Sequence, residues 1–189
     1  MRVSDLSPEL VLPLLRGRLG RPYRFLAETG STQREIGDGE PEGTTVAADH
    51  QTEGRGRLGR TWTDAPGRGL LFSVMLRPPL DMARWPELSV VAGEAVAAAV
   101  GGGAEVSHPN DVVIGGRKVA GVLPEATAGR VVLGIGVNVN QRAGELPADA
   151  VKPPTSLHLE LGRDVERAPL LATILLELER RYDAWSRVS

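Results

Sequence analysis

Hydrophobic positions fall along the chain in two patterns, which predict different elements. Short unbroken apolar runs predict strands. These are Thr44-Thr45-Val46-Ala47-Ala48, Leu70-Leu71-Phe72-Ser73-Val74-Met75-Leu76, and residues 131–140. The last run carries Gly134 and Gly136 at alternate places, which strips one face of side chains. Such spacing serves either tight packing or floor space for a ligand. Tyr23-Arg24-Phe25-Leu26-Ala27-Glu28 and Glu105-Val106 read as further strands. Val112-Val113-Ile114 and Lys118-Val119-Ala120-Gly121-Val122-Leu123, joined by Gly115-Gly116, read as a hairpin. Pro124 has no N–H to give a ladder, so the strand is expected to end there.

The second pattern repeats at helical spacing. Leu88, Val91, Ala92, Ala95 and Ala99 form one stripe of a helix over residues 83–100, with Pro78-Pro79 before it and Gly101-Gly102-Gly103 after it. Leu170, Leu171, Ile174, Leu175, Leu178 and Tyr182 form another over 167–185, preceded by a short helix near 156–161. Ser7-Pro8-Glu9 has the residues of a helix start and opens a short turn through Leu10, Val11, Leu14 and Leu15, although Pro13 opposes it. Thr29-Gly30-Ser31-Thr32-Gln33 is a polar turn into a helix expected near Ser31. Residues 38–43 and 141–154 are loops. Helices flanking a strand-rich middle predict an α+β fold in one domain spanning residues 1–189, without internal repeats.

Composition narrows the function classes. The chain has 189 residues, 41% apolar, long enough for one well-buried domain. A formal net charge of −2 gives no global electrostatic case for nucleic acid. The absence of cysteine excludes disulfides, thiolate zinc sites and a cysteine nucleophile, and suits the cytoplasm. The most apolar window, residues 88–100, is broken by Gly93 and Glu94, so no membrane segment is expected.

Against that near-neutral background one stretch concentrates charge: Gly54-Arg55-Gly56-Arg57-Leu58-Gly59-Arg60-Thr61-Trp62. Glycines let backbone N–H groups approach a ligand, and the arginines add forked donors suited to carboxylate or phosphate. Trp62 adds a flat surface for a purine or an arginine. A Gly/Arg run can also be a solvated tail, but this one is single, internal and flanked by strand patterns, which favours an ordered ligand loop. Arginines without an anion repel one another, so the empty loop is expected to stay open. The hydroxyls at Ser31 and Thr32 serve as a helix cap or as donors into a pocket. His50 reads as an ordinary polar residue.

Three motifs in one order resemble the catalytic module of the biotin protein ligase family: the Gly/Arg loop, Pro109-Asn110-Asp111 followed by Lys118-Val119-Ala120-Gly121, and Gly134-Ile135-Gly136-Val137-Asn138-Val139-Asn140. The resemblance implies a mixed, largely antiparallel sheet backed by helices, related to the class II aminoacyl-tRNA synthetase core. It implies formation of biotinyl-5′-AMP from biotin and ATP with Mg²⁺, then transfer of biotin to a lysine of a biotin carboxyl carrier domain. Lys118 and Arg57 are implied as catalytic. Biotin contacts are implied for Ser31, Thr32, Gln33, Gln51, Arg55, Gly56, Arg57, Lys118 and Gly121, and nucleotide contacts for Arg55, Arg57, Arg60, Trp62, Asn110, Asp111 and Asn138. Metal ligands are not assigned. No nucleic acid or membrane partner is implied, and a homodimer is compatible.

The sequence departs from the family pattern at Gln33, where asparagine is usual, and at Ser107-His108, where Lys-Trp is usual. The latter leaves a positive charge and an indole missing. The small β-barrel that commonly follows this module is not expected within the chain. These departures bear on ATP affinity and carrier docking. Competing readings are a lipoate or octanoyl transferase-type ligase, a biotin-responsive repressor, and a relative that binds biotin or adenylate without turnover. The Gly/Arg loop ending in Trp62 favours biotin. About twenty residues before the Tyr23 strand are too few for a winged-helix domain.

Overall fold

The structure, a computed structural model, describes residues 4–127, 129–148 and 150–187. Its centre is a sheet of seven strands: β1 (Tyr23–Leu26), β2 (Thr45–Ala48), β3 (Leu70–Leu76), β4 (Glu105–Ser107), β5 (Asp111–Ile114), β6 (Arg117–Thr127) and β7 (Arg130–Val137). They lie in the order β1-β2-β3-β7-β6-β5-β4. The β1/β2 pair is parallel and the other pairs are antiparallel, which makes the sheet mixed and largely antiparallel, as expected. Every residue of β3 is buried, because both faces of this strand are covered; hence its pattern has no alternation.

Helices α1 (Pro8–Val11), α2 (Leu88–Val100), α3 (Leu157–Leu161) and α4 (Arg167–Ser186) share one apolar cluster with one face of the sheet. Phe72, Val74 and Leu76 of β3 and Leu133, Ile135 and Val137 of β7 meet Leu88, Ala92, Ala95 and Val96 of α2 and Leu171, Ile174, Leu175 and Leu178 of α4. Each such leucine or isoleucine contributes about 1.5–3 kcal/mol on full burial. The opposite face has only a small cluster, Ile36, Val46, Met75 and Val132. Next to it Gly121 of β6 pairs with Gly136 of β7, and Leu123 with Gly134. That bare patch is the floor of the site.

Several expectations need correction. β6 runs through Pro124, which pairs with Leu133. The Val122 N–H donates to Asn110 O on the β5 side, so the missing N–H of Pro124 points to an edge where β5 has already ended, and no ladder bond is lost. Near Ser31 there is a single turn, closed by the Arg34 N–H on Ser31 O at 3.0 Å, and the chain leaves it at the Asp38-Gly39 loop. The helix over 83–100 begins as a 3-10 segment, Met82–Glu87, because Pro86 cannot donate within an α-turn. Its buried stripe is Leu88, Ser89, Ala92, Gly93, Ala95 and Val96, with Val91 and Ala99 at the margin. Ser7 stands at the N-cap position of α1 without a side-chain cap bond. The Gly115-Gly116 turn has φ 54° and 78°, the positive values a tight hairpin demands. Among the described residues no helix is long and apolar enough to cross a membrane.

Candidate active site

On the bare face lies a cavity of about 650 Å³ lined by all the residues the sequence nominates, from Ser31 to Asn138. The alternating glycines of β7 are occupied space. A Cβ on Gly136 would lie 2.7 Å from Cε2 and Cζ2 of Trp62, and one on Gly121 3.1 Å from Cζ3. A Cβ on Gly134 would lie 2.7 Å from Cδ of Gln33. The glycines therefore admit the indole and the Gln33 amide as lining of the cavity. Trp62 Nε1 is buried and has no hydrogen-bond partner among the described residues.

One end of the cavity is neutral and polar. The parallel bridge between Thr29 and Gln51 extends β1 and β2 and brings residues 29–33 beside 50–53. Gln51 Oε1 accepts from the Thr32 N–H at 2.7 Å and from Thr32 Oγ1 at 3.0 Å. Thr32 Oγ1 also lies 2.7 Å from Ser73 Oγ, both buried. Gln33 donates through Nε2 to Leu123 O at 3.0 Å and Val132 O at 3.3 Å, so this longer amide is anchored to β6 and β7. His50 lies behind this wall, its Nδ1 3.0 Å from Asp64 Oδ2; burial pushes the Asp64 carboxyl above its usual range, and the His50 contact opposes that.

The other end is cationic. Lys118 Nζ lies 2.8 Å from Asp111 Oδ1 and 5.5 Å from the Trp62 ring centroid. Lys152, which the sequence reading missed, reaches Asp111 Oδ2 at 2.7 Å and Ser107 Oγ at 3.0 Å. Burial pushes Asp111 up, but the bonds from the two lysines outweigh it and hold the carboxyl below its usual range. The positive charge missing at Ser107 is thus supplied from elsewhere in the chain. Asn110 donates to Val122 O at 2.9 Å, and Asn138 donates to Thr155 O at 2.9 Å, which ties the floor to the segment carrying Lys152.

The Gly/Arg loop covers this end as a narrow hairpin. Arg55 bridges Thr61, the Gly56 N–H donates to Arg60 O at 2.7 Å, and the Trp62 N–H donates to Gly54 O at 2.9 Å. At its tip Leu58 has φ 59° and is 85% exposed. Both Arg55 and Arg57 have partners within the chain. Arg55 Nη2 lies 2.9 Å from Glu125 Oε2, and Arg57 Nη1 donates to Asn110 Oδ1 at 3.3 Å. Arg60 is exposed on the outer arm and lines the same cavity. No group of three metal-ligating side chains occurs among the described residues, and both oxygens of Asp111 hold lysines. These residues do not fit a resident metal site.

A cavity with neutral hydrogen-bonding groups at one end, an indole in the middle and two ammonium groups under two arginines at the other suits a small polar molecule joined to a polyanion. Family comparison agrees: residues 30–141 match the Biotin/lipoate A/B protein ligase family. The chain belongs to this family. Among solved relatives of this ligase-family domain is the biotin protein ligase from Aquifex aeolicus in complex with biotin and ATP. It superposes with a TM-score of 0.79 at 33% identity, over 88% of this chain and 72% of that one. The biotin–[acetyl-CoA-carboxylase] ligase of Paracoccus denitrificans is 36% identical over 182 residues, 85% of this chain and 74% of that protein. The bifunctional ligase/repressor BirA of Bacillus spizizenii is 38% identical over 167 residues, 83% of this chain and 51% of the relative. The chain thus spans about half the length of the BirA relatives it matches.

Among the lining residues outside the motifs, Lys152 was detectable as one of only two lysines in the chain. Ser73, which backs Thr32 from β3, was detectable as a lone hydroxyl in an apolar run.

Proposed function

We propose that the domain activates biotin with ATP and passes it to a carrier lysine. The observation that carries this reading is a single cavity in which Ser31, Thr32 and Gln51 stand at one end and Lys118, Asp111 and the Arg55–Arg57 loop at the other. In the first step a carboxylate oxygen of biotin attacks the α-phosphorus of ATP, the bond to the β-phosphate oxygen breaks, and pyrophosphate leaves. Two anions must be held together against their repulsion, which calls for preorganised positive charge in a site poor in water. Lys118 supplies it between carboxylate and α-phosphate, Arg57 and Arg55 cover the phosphate, and Trp62 offers its face to adenine. Ser31, Thr32, Gln51 and Gln33 address the ureido ring. In the second step the neutral ε-amine of the carrier lysine attacks the carbonyl of biotinyl-5′-AMP, AMP departs with the bonding pair, and the new amide nitrogen loses a proton. Mg²⁺ supplied with ATP would offset the polyphosphate charge, and no residue of this chain is assigned to hold it. Within this reading the sheet corresponds to a class II aminoacyl-tRNA synthetase-like core.

The deciding experiment incubates the full chain with biotin, Mg-ATP and a biotin carboxyl carrier domain, following pyrophosphate release and carrier mass. Biotin-dependent pyrophosphate together with a biotin-sized mass gain is expected. Turnover with lipoate or octanoate in place of biotin would favour the lipoate-type reading. Binding of biotin without pyrophosphate release would make the domain a non-catalytic relative.

A further inference from the structure

Lysine is almost absent from this chain: of its 22 basic side chains, twenty are arginine and two are lysine, Lys118 and Lys152. Both ammonium groups bind the same carboxylate, at 2.8 Å and 2.7 Å on opposite oxygens of Asp111. Backbone geometry builds this pairing. The Lys118 N–H donates to Pro153 O at 2.8 Å, the Thr155 N–H donates to Lys118 O at 2.8 Å, and Lys118 bridges Pro154 in parallel. Residues 153–155 are therefore held beside the start of β6 by an isolated bridge and two backbone hydrogen bonds. Pro153 and Pro154 have fixed φ and no N–H, which narrows the conformations the segment can take. The residue before them, Lys152, is delivered into the cavity next to Lys118.

Two ammonium groups against one carboxylate leave one positive charge in excess, on a wall where the Lys118 and Lys152 side chains are only 28% and 32% exposed. Charge drawn partly out of water without full compensation is costly unless an anion arrives to pair with it. The two lysines also face different ways. Lys118 Nζ lies 3.3 Å from where a Cβ of Gly121 would stand, so it belongs to the floor and to Trp62. Lys152 reaches the other way, to Ser107 at the end of the edge strand β4. A chain of phosphates laid along this wall would meet the two cations in sequence.

We infer that Lys152 is a second phosphate-binding residue of the site, holding the β- and γ-phosphates of ATP and then pyrophosphate, while Lys118 serves the α-phosphate and the carboxylate. The inference rests on the biotin-activating reaction proposed above. Before ATP arrives, Asp111 holds Lys152 beside Lys118 and keeps the two like charges from repelling each other. A polyphosphate carries more negative charge than one carboxylate and draws Lys152 to itself, leaving Asp111 with Lys118. A lysine suits a departing anion, because its ammonium is a point charge on a flexible stem without the bidentate geometry of a guanidinium.

The test compares the parent chain with Lys152→Ala, Lys152→Gln and Lys152→Arg in biotinyl-5′-AMP formation, varying ATP, biotin and added pyrophosphate. Removing one charge-assisted contact should raise the KM for ATP and the inhibition constant of pyrophosphate by roughly tenfold or more. The KM for biotin should stay within about twofold, and Lys152→Arg should recover most of the loss by keeping the charge. ATP and pyrophosphate constants unchanged in Lys152→Gln, or an equal loss for biotin, overturn the inference. Lys152→Gln keeps a donor for Ser107 and so stands in should Lys152→Ala fail to fold. A parent that makes no biotinyl-5′-AMP refutes the proposed function instead. Calorimetric titration of inorganic pyrophosphate into parent and Lys152→Gln then still reads Lys152: weaker binding by the variant supports the assignment, and equal or absent binding to both overturns it.

Discussion

Lys118 and Gly136 carry the residue-scale argument, one through charge and the other through the absence of a side chain. Preorganised charge at a developing anionic centre is worth about 3–4 kcal/mol, roughly 10²–10³ in rate. Lys118→Ala should therefore lower adenylate formation by that factor and leave the circular dichroism spectrum unchanged; formation at the parent rate would remove Lys118 from the chemistry. At Gly136 an added methyl would stand 2.7 Å from the Trp62 ring, and one of the two must move. Trp62 is only partly buried and sits at the root of an exposed hairpin, so the indole yields and the sheet does not. Gly136→Ala is expected to cost under about 1 kcal/mol in stability, below the usual overpacking penalty. It should raise the KM for ATP about tenfold through loss of the Trp62 surface. A large fall in melting temperature with an unchanged KM would show that the close approach serves packing alone.

At the scale of the element, the Gly/Arg hairpin has a resting set of partners that ATP can replace. Glu125 and Asn110 hold Arg55 and Arg57 across an exposed surface, where such pairs are worth little, about 0–1 kcal/mol. Phosphate is a stronger partner for a guanidinium than one exposed carboxylate or an amide. Hydrogen exchange in residues 54–62 is therefore expected to slow when biotin and ATP are both added, and unchanged exchange would count against closure. Arg57→Gly should weaken the cover over the anhydride and release biotinyl-5′-AMP, detected as biotin on lysines of a bystander protein.

For the molecule as a whole, acid and alkaline limbs of stability have opposite causes. Ion pairing holds Glu40, Glu177 and Asp183 below their usual range, with Arg24, Arg181 and Arg18 as the leading causes. A carboxyl whose folded pKa is depressed adds stability that is present above its unfolded value, about 4, and is lost as pH falls through the folded value. Burial pushes the phenols of Tyr23 and Tyr182 upward. The sign there is reversed: their contribution is present below about 10, the unfolded value, and is lost as pH rises beyond it. Melting temperature should be level from about pH 5 to 9 and fall on both sides. Tyr23→Phe should blunt the alkaline fall, and an alkaline limb identical to the parent's would dismiss the tyrosine account.

By itself the sequence determined what local rules can encode. Unbroken apolar runs specified β3 and β7, helical spacing specified α4, and paired glycines specified the β5–β6 turn, since each depends on neighbours within a few residues. The three motifs nominated the residues that now share one cavity. Tertiary structure alone decided matters that depend on distant partners. Pro124 stays within β6 because β5 has ended on its N–H side, a fact of strand order that no window around Pro124 contains. Gly134 and Gly136 make room for Gln33 and Trp62, which come from segments some 70 to 100 residues earlier. Lys152 meets Asp111 across 41 residues because residues 153–155 pair with Lys118, and backbone pairing between separated segments leaves no periodic trace in sequence.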